Sequence, residues 1–241
     1  MTVRKHKRIV NLPSVNLNVK TLTTEEVNRD IQRRASLVQS ELTRGFNFIK
    51  SIRKSVTFFG SARLPQNHPY AVKATRLASR LAELGYTVLT GGGPGIMEAA
   101  NHGAFQVDEN KSLGLTIRLP EEQNRNPYIN HSMDFFYFFN RKVCLTFSAE
   151  AYLYFPGGFG TLDEFFEILT LVQTRKITRI PIILVGTDFW QPLHALMQQI
   201  LLERYQTISP HDLNLYEILD DEEKIVEIIR NAPIHVGDAR K

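Results

Sequence analysis

The stretch AYLYFPGGFGTLDEFF (151–166) decides the fold. Ala151 to Phe155 is a short apolar run, the mark of a strand covered on both faces. The glycine-rich turn PGGFGT (156–161) follows, and the apolar spacing from about Leu162 to Thr174 predicts a helix. The same unit recurs on either side. Tyr86 to Thr90 reads as a strand running into Gly91-Gly92-Gly93-Pro94-Gly95, with a helix expected from Pro94 to about Phe105. SVTFFG (55–60) is another apolar run, and residues 69–84 carry a helical pattern closed by Gly85. Further strands are expected at 113–117 and 180–185, and helices at about 190–204 and 221–230. Met133 to Phe139 reads as an aromatic strand, after which Arg141-Lys142 opens a short helix to Phe147. Strands alternating with helices imply an α/β fold, a doubly wound parallel sheet with helices on both faces.

In such a sheet the strand-to-helix turns share the carboxyl edge, where ligands bind in the crevice at which strand order reverses. Three glycine-bearing turns fall there: Gly60-Ser61-Ala62, Gly91 to Gly95, and Pro156 to Thr161. Glycine lets backbone approach a ligand closely, and the helix that follows offers free N–H groups and a positive end, so these turns suit a phosphate. The P-loop pattern needs a Lys before its Ser or Thr, and Gly160-Thr161 lacks one. SVTFFGSAR is not a dinucleotide fingerprint either.

The remaining composition narrows the class. The chain has 241 residues, 43% hydrophobic and 22% charged, in the ordinary globular range. Its single cysteine, Cys144, excludes a disulfide framework and a cysteine zinc site, and points to a reducing, cytoplasmic setting. No run approaches the roughly 18 apolar residues of a membrane span. The net charge is +4, unevenly spread: residues 1–54 hold twelve Lys and Arg against four acids, which leaves −4 on the other 187. A basic arm (1–54) therefore precedes a mildly acidic body (55–241). The arm's acids argue against a transit peptide. Thr23-Thr24-Glu25-Glu26 offers a capping box, and Val27, Ile31, Val38, Leu42, Phe46 and Ile49 form one apolar stripe of a long helix, expected to dock on the body or on a second subunit. Its charge reads as a solvated face or, alternatively, as a nucleic-acid patch; no stacking aromatics or zinc fingers favour the latter.

Two acids follow the glycine turns. Glu164 lies three residues past Thr161, and Glu98 holds the same place after GGGPG. A carboxylate beside a bound sugar phosphate can stabilise an oxocarbenium-like centre or activate water. Thr161-Leu162-Asp163-Glu164 is equally a capping box, and an acid in a first helical turn favours the dipole without any ligand. Both readings stay open from spacing alone. Arg141 and Lys142 can clamp a phosphate or stabilise a leaving base. The aromatic run beside them suits core or interface better than base stacking. The histidines show no metal spacing.

GGGPGIMEAAN (91–101), the Arg141-Lys142 pair and PGGFGTLDE (156–164) together resemble the LOG family, over roughly residues 55–230. Its members are cytokinin riboside 5′-monophosphate phosphoribohydrolases and AMP nucleosidase relatives, long labelled "possible lysine decarboxylase". The resemblance implies a modified Rossmann fold, a homodimer or larger homo-oligomer, and a purine nucleoside monophosphate as substrate, with no cofactor and no metal. It implies catalytic roles for Arg141 and Glu164, a phosphate loop at Gly157, Gly158, Gly160 and Thr161, and substrate contacts at Gly60, Ser61, Gly92, Gly93, Glu98 and Lys142. The bacterial-type GGGPGIMEAAN makes AMP the first substrate to try. The family's Arg usually follows a Met-His-like context; here Phe138-Phe139-Asn140 precedes it. Decarboxylation would need pyridoxal phosphate on a Lys, and that context is missing. Molybdenum-cofactor carriers share the fold, so a non-catalytic nucleotide carrier is the alternative.

Overall fold

A computed structural model describes residues 23–52, 54–118 and 125–233. The elements in chain order are α1 (Thr24–Ile49), β1 (Ser55–Phe59), α2 (Pro69–Glu83), β2 (Thr87–Thr90), α3 (Ile96–Val107), β3 (Ser112–Ile117), β4 (His131–Phe135), α4 (Phe138–Phe147), β5 (Ala151–Tyr154), α5 (Phe159–Gln173), β6 (Ile182–Val185), α6 (Thr187–Leu196), β7 (Glu217–Leu219) and α7 (Glu222–Asn231). By contact the chain divides into two units, one ending at Leu37 and one beginning at Val38.

In the first unit the Thr23 box forms as read: Glu26 N–H donates to Thr23 Oγ1 at 3.2 Å, and Thr23 N–H donates to Glu26 Oε2 at 2.8 Å. Val27, Ile31 and Leu37 are exposed.

In the second unit seven parallel strands form one sheet in the order β4-β3-β2-β1-β5-β6-β7. The order reverses between β1 and β5, where Val56 to Phe59 pair with Ala151 to Tyr154. Side chains alternate across each strand. Val56 and Phe58 of β1, with Leu153 of β5, join a core under α2, α3 and α7; Phe59, Tyr152 and Tyr154 join the opposite core under α4, α5 and α6. This is the doubly wound sheet that the alternation implied. Gly85 closes α2 with φ +86°, the left-handed conformation that favours glycine.

Several boundaries differ from the sequence reading. The aromatic run is not one strand: β4 stops at Phe135, and α4 begins at Phe138. Phe135 is fully buried, whereas Phe136, Phe138 and Phe139 are exposed, so most of the run is not core. α3 begins at Ile96 after Gly95 (φ +71°), not at Pro94. α5 begins at Phe159, three residues before the expected start. α6 is followed by Met197–Arg204 in π-helical geometry. The docked row of α1 is Glu41, Gly45 and Ile49; Phe46 is exposed and Leu42 packs at the margin of the core.

Candidate active site

The reversal of strand order brings the three glycine turns together, and Ser61 ties them. Its N–H donates to Pro156 O at 3.0 Å, and its carbonyl accepts from Ile96 N–H at 3.0 Å. Gly60 is needed for packing, since a Cβ there would lie 2.7 Å from Ile96 Cβ. A Cβ at Gly95 would collide with Ser61 O. Gly60 and Ser61 thus act as the knot between the other two turns.

The triple-glycine turn is held from below by a buried amide pair. Thr90 Oγ1 accepts from Gly92 N–H at 2.9 Å and donates to Asn101 Oδ1 at 2.5 Å. Asn126 Nδ2 donates to Asn101 Oδ1 at 3.0 Å and to Gly93 O at 3.1 Å, and its N–H donates to Gly92 O at 3.0 Å. Gly92 has φ +76°, which fixes glycine there. Gly91 matters differently: a Cβ on it would collide with the Arg141 guanidinium. Glu98 sits half-buried in the first turn of α3, where an acid favours the helix dipole.

Over Gly91 the Arg141 side chain donates from Nε to Leu115 O at 2.8 Å, and its Nη1 lies 3.7 Å from Glu164 Oε1. Both side chains are about nine-tenths buried, at 12% and 8% exposure. Burial pulls Arg141 below its ordinary value, while Glu164 pulls it back up. Burial pushes the Glu164 carboxyl up to about 7, against the pull of Arg141 and Lys142. Structural ion pairs and working acids or bases both show such raised carboxyls. Lys142 reaches across to α5, with Nζ 2.9 Å from Asp163 Oδ2 and 2.7 Å from Glu167 Oε2. Burial pulls its pKa down, but the bonds to Glu167 and Asp163 outweigh that and leave it raised.

The early start of α5 removes the capping reading of Glu164. Gly158 is the N-cap, no side chain caps the helix, and its first turn holds no acid. Thr161 is the third helical residue and Glu164 the sixth, one turn deeper than a capping box requires. The uncapped N–H groups of that first turn stand beside exposed Gly158 and Gly160, where an added Cβ would meet nothing within 4 Å. A Cβ at Gly157 would collide with the buried Thr161 hydroxyl. Arg141 and Lys142 are likewise the fourth and fifth residues of α4, not its opening pair.

Arg141, Lys142, Gly91 and Glu164 therefore converge, with Gly157 to Thr161 at the head of the helix bearing Glu164. Sequence reasoning missed Gly91, Asn126, and the acids Asp163 and Glu167 that hold Lys142. Asn101 closes the GGGPGIMEAAN segment and was legible as part of it; Asn126, in a polar loop, carried no signal. A cavity of about 430 Å³ lined by Arg175, Lys176 and Arg179 opens at the opposite edge of the sheet, before β6, and holds none of these groups.

Comparison with known proteins bears on the family and the fold. A family profile described as "Possible lysine decarboxylase" matches residues 97–229, a span that includes Arg141 and Glu164. The cytokinin riboside 5′-monophosphate phosphoribohydrolase LOG of Oryza sativa subsp. japonica is 27% identical over 157 residues, 64% of this chain and 63% of that protein. The chain thus matches under two thirds of that relative's length. Among solved structures, the molybdenum cofactor binding protein from Rippkaea orientalis is 25% identical with a TM-score of 0.51, covering 74% of this chain and 96% of the other. The molybdenum cofactor carrier protein from Chlamydomonas reinhardtii shares the fold at 20% identity and a TM-score of 0.50, covering 74% of this chain and 97% of the other. No described helix is long and apolar enough to cross a membrane. With the profile matching more than half of its length, the chain belongs to the LOG family, the group described as "possible lysine decarboxylase".

Proposed function

We propose that the protein hydrolyses the N-glycosidic bond of a purine nucleoside 5′-monophosphate, AMP first, to free base and ribose 5-phosphate. The observation that carries this reading is the buried Glu164 carboxyl, held 3.7 Å from Arg141 and free of any capping role. The 5′-phosphate sits at the uncapped start of α5, against Gly157 to Thr161. Binding energy spent on that remote group serves the sugar. The bond from the anomeric carbon to the base nitrogen breaks with its electrons leaving on the base, and a water oxygen takes the vacated carbon. Ionised Glu164 steadies the cationic sugar and accepts the water's proton, which it then gives up to solvent; Arg141 stabilises the departing base, which takes one proton from solvent, so that water is the only net reactant consumed. The rice phosphoribohydrolase supports this reading.

The test is adenine release from AMP, followed by chromatography, in wild type and Glu164→Gln. No base from any purine monophosphate would overturn it. The Rippkaea relative favours a second reading, in which the same phosphate cradle carries a cofactor without turnover. Its mark would be a nucleotide or pterin phosphate held tightly and recovered intact. The buried Arg141–Glu164 pair favours chemistry, because a carrier that holds its cargo by the phosphate has no need of a buried carboxyl beside an arginine.

A further inference from the structure

α4 carries Arg141, yet its own sequence does little to hold its start. Tyr137 occupies the N-cap without a side-chain cap bond, and the first turn has no acid. The aromatic residues there do not anchor it by burial either, since Phe136, Phe138 and Phe139 are 66%, 54% and 53% exposed. The missing negative group comes from α1, far away in sequence. Glu41, only 4% exposed, accepts from Phe136 N–H at 2.7 Å through Oε1. Its Oε2 accepts from Tyr137 N–H at 3.2 Å and from Asn140 Nδ2 at 2.8 Å. Asn140 also donates to Val38 O at 3.1 Å. One turn on, Gly45 permits the close approach, because a Cβ there would collide with Cys144 Sγ. A buried carboxylate costs several kcal/mol unless its lone pairs are satisfied, so an apolar residue would be the default for a docked helix.

We propose that Glu41 is a positioning residue for the Arg141 site: bonded to Phe136, Tyr137 and Asn140, it sets the start of α4 and thereby aims Arg141 across Gly91 at Leu115 O and Glu164. This rests on the hydrolase reading for its catalytic consequence, though not for its geometry. The phosphate cradle on α5 does not involve Glu41, so capture of the nucleotide is separable from the aim of Arg141.

The test is Glu41→Gln, which keeps the shape and loses the charge and one acceptor. With AMP, kcat is expected to fall about tenfold while KM stays within about twofold, as suits a small misplacement of a reacting group. A second readout needs no turnover. In protein carrying ¹⁵N-arginine, the Arg141 Nε–H signal, assigned by its loss in Arg141→Lys, reports the bond to Leu115 O. Glu41→Gln is expected to shift it and speed its exchange with water about tenfold. Asn140→Ala, which removes one of the three donors, should move the same signal less, and serves if Glu41→Gln does not fold. An unmoved signal in the folded variant overturns the proposal, whatever the activity. If the wild type releases no base, the hydrolase reading fails, and the Arg141 signal still decides the role of Glu41.

Discussion

Replacing Glu164 with Gln is expected to stabilise the fold more at pH 8 than at pH 5. Glu164 is 6% exposed, and burial raises its carboxyl from the ordinary 4.5 to about 7. Between those values the native state holds a proton that the unfolded chain has released. Stability therefore falls as pH rises through that window, and levels off above about 7. Linkage makes this loss about 2–3 kcal/mol larger at pH 8 than at pH 5. The attraction to Arg141 needs no separate correction, because it is reciprocal and already contained in the Glu164 value. Gln has no proton to lose, so the variant escapes the penalty. For a chain of this size the gain in Tm at pH 8 should exceed that at pH 5 by about 5–10 °C. The measurement is paired thermal unfolding of wild type and variant at both pH values. An equal difference at the two pH values, or a smaller one at pH 8, would refute the reasoning. The same substitution should lower adenine release by about two to four orders of magnitude.

Lys142→Met removes a cation that lowers Glu164 and strands Asp163 and Glu167. The rise of kcat/KM with pH, which follows ionisation of Glu164, should move to higher pH than in wild type, and an unmoved profile would count against Glu164 as the titrating group. Gly157→Ala forces a collision with Thr161 and should weaken ribose 5-phosphate binding at least about tenfold by calorimetry, whereas Gly160→Ala enters open space and should change stability by under about 0.5 kcal/mol. Asn101→Ala leaves Thr90 and Asn126 with an unmet buried bond and should cost about 2–3 kcal/mol in urea unfolding.

What local chemistry sets was legible in the sequence. The Thr23 box, the left-handed Gly85 and the alternating strands each follow from neighbours within a few residues. Arg141 and Glu164 were legible because their turns resemble a family motif, and the structure brings the two side chains together. What long-range packing sets was not legible. The start of α5 moved to Phe159, with the Thr161 hydroxyl buried against Gly157 inside the first turn. FFYFF is an unbroken aromatic run that reads as a strand, yet the chain leaves the sheet after Phe135 and turns into α4. α1 docks through Ile49, which apolar periodicity detects, and through a carboxylate and a glycine, which it does not. In the sequence Gly91 is one glycine in a run of three; in the fold the Arg141 guanidinium lies across it.

Phe159 lies between two glycines at the head of α5, is 92% exposed and is the first helical residue. Its side chain has almost no packing to lose, while its backbone opens the helix proposed to receive the phosphate. That separation makes position 159 a natural place for a reporter: a dye or a fluorinated aromatic there would sense an arriving anion without loosening the scaffold.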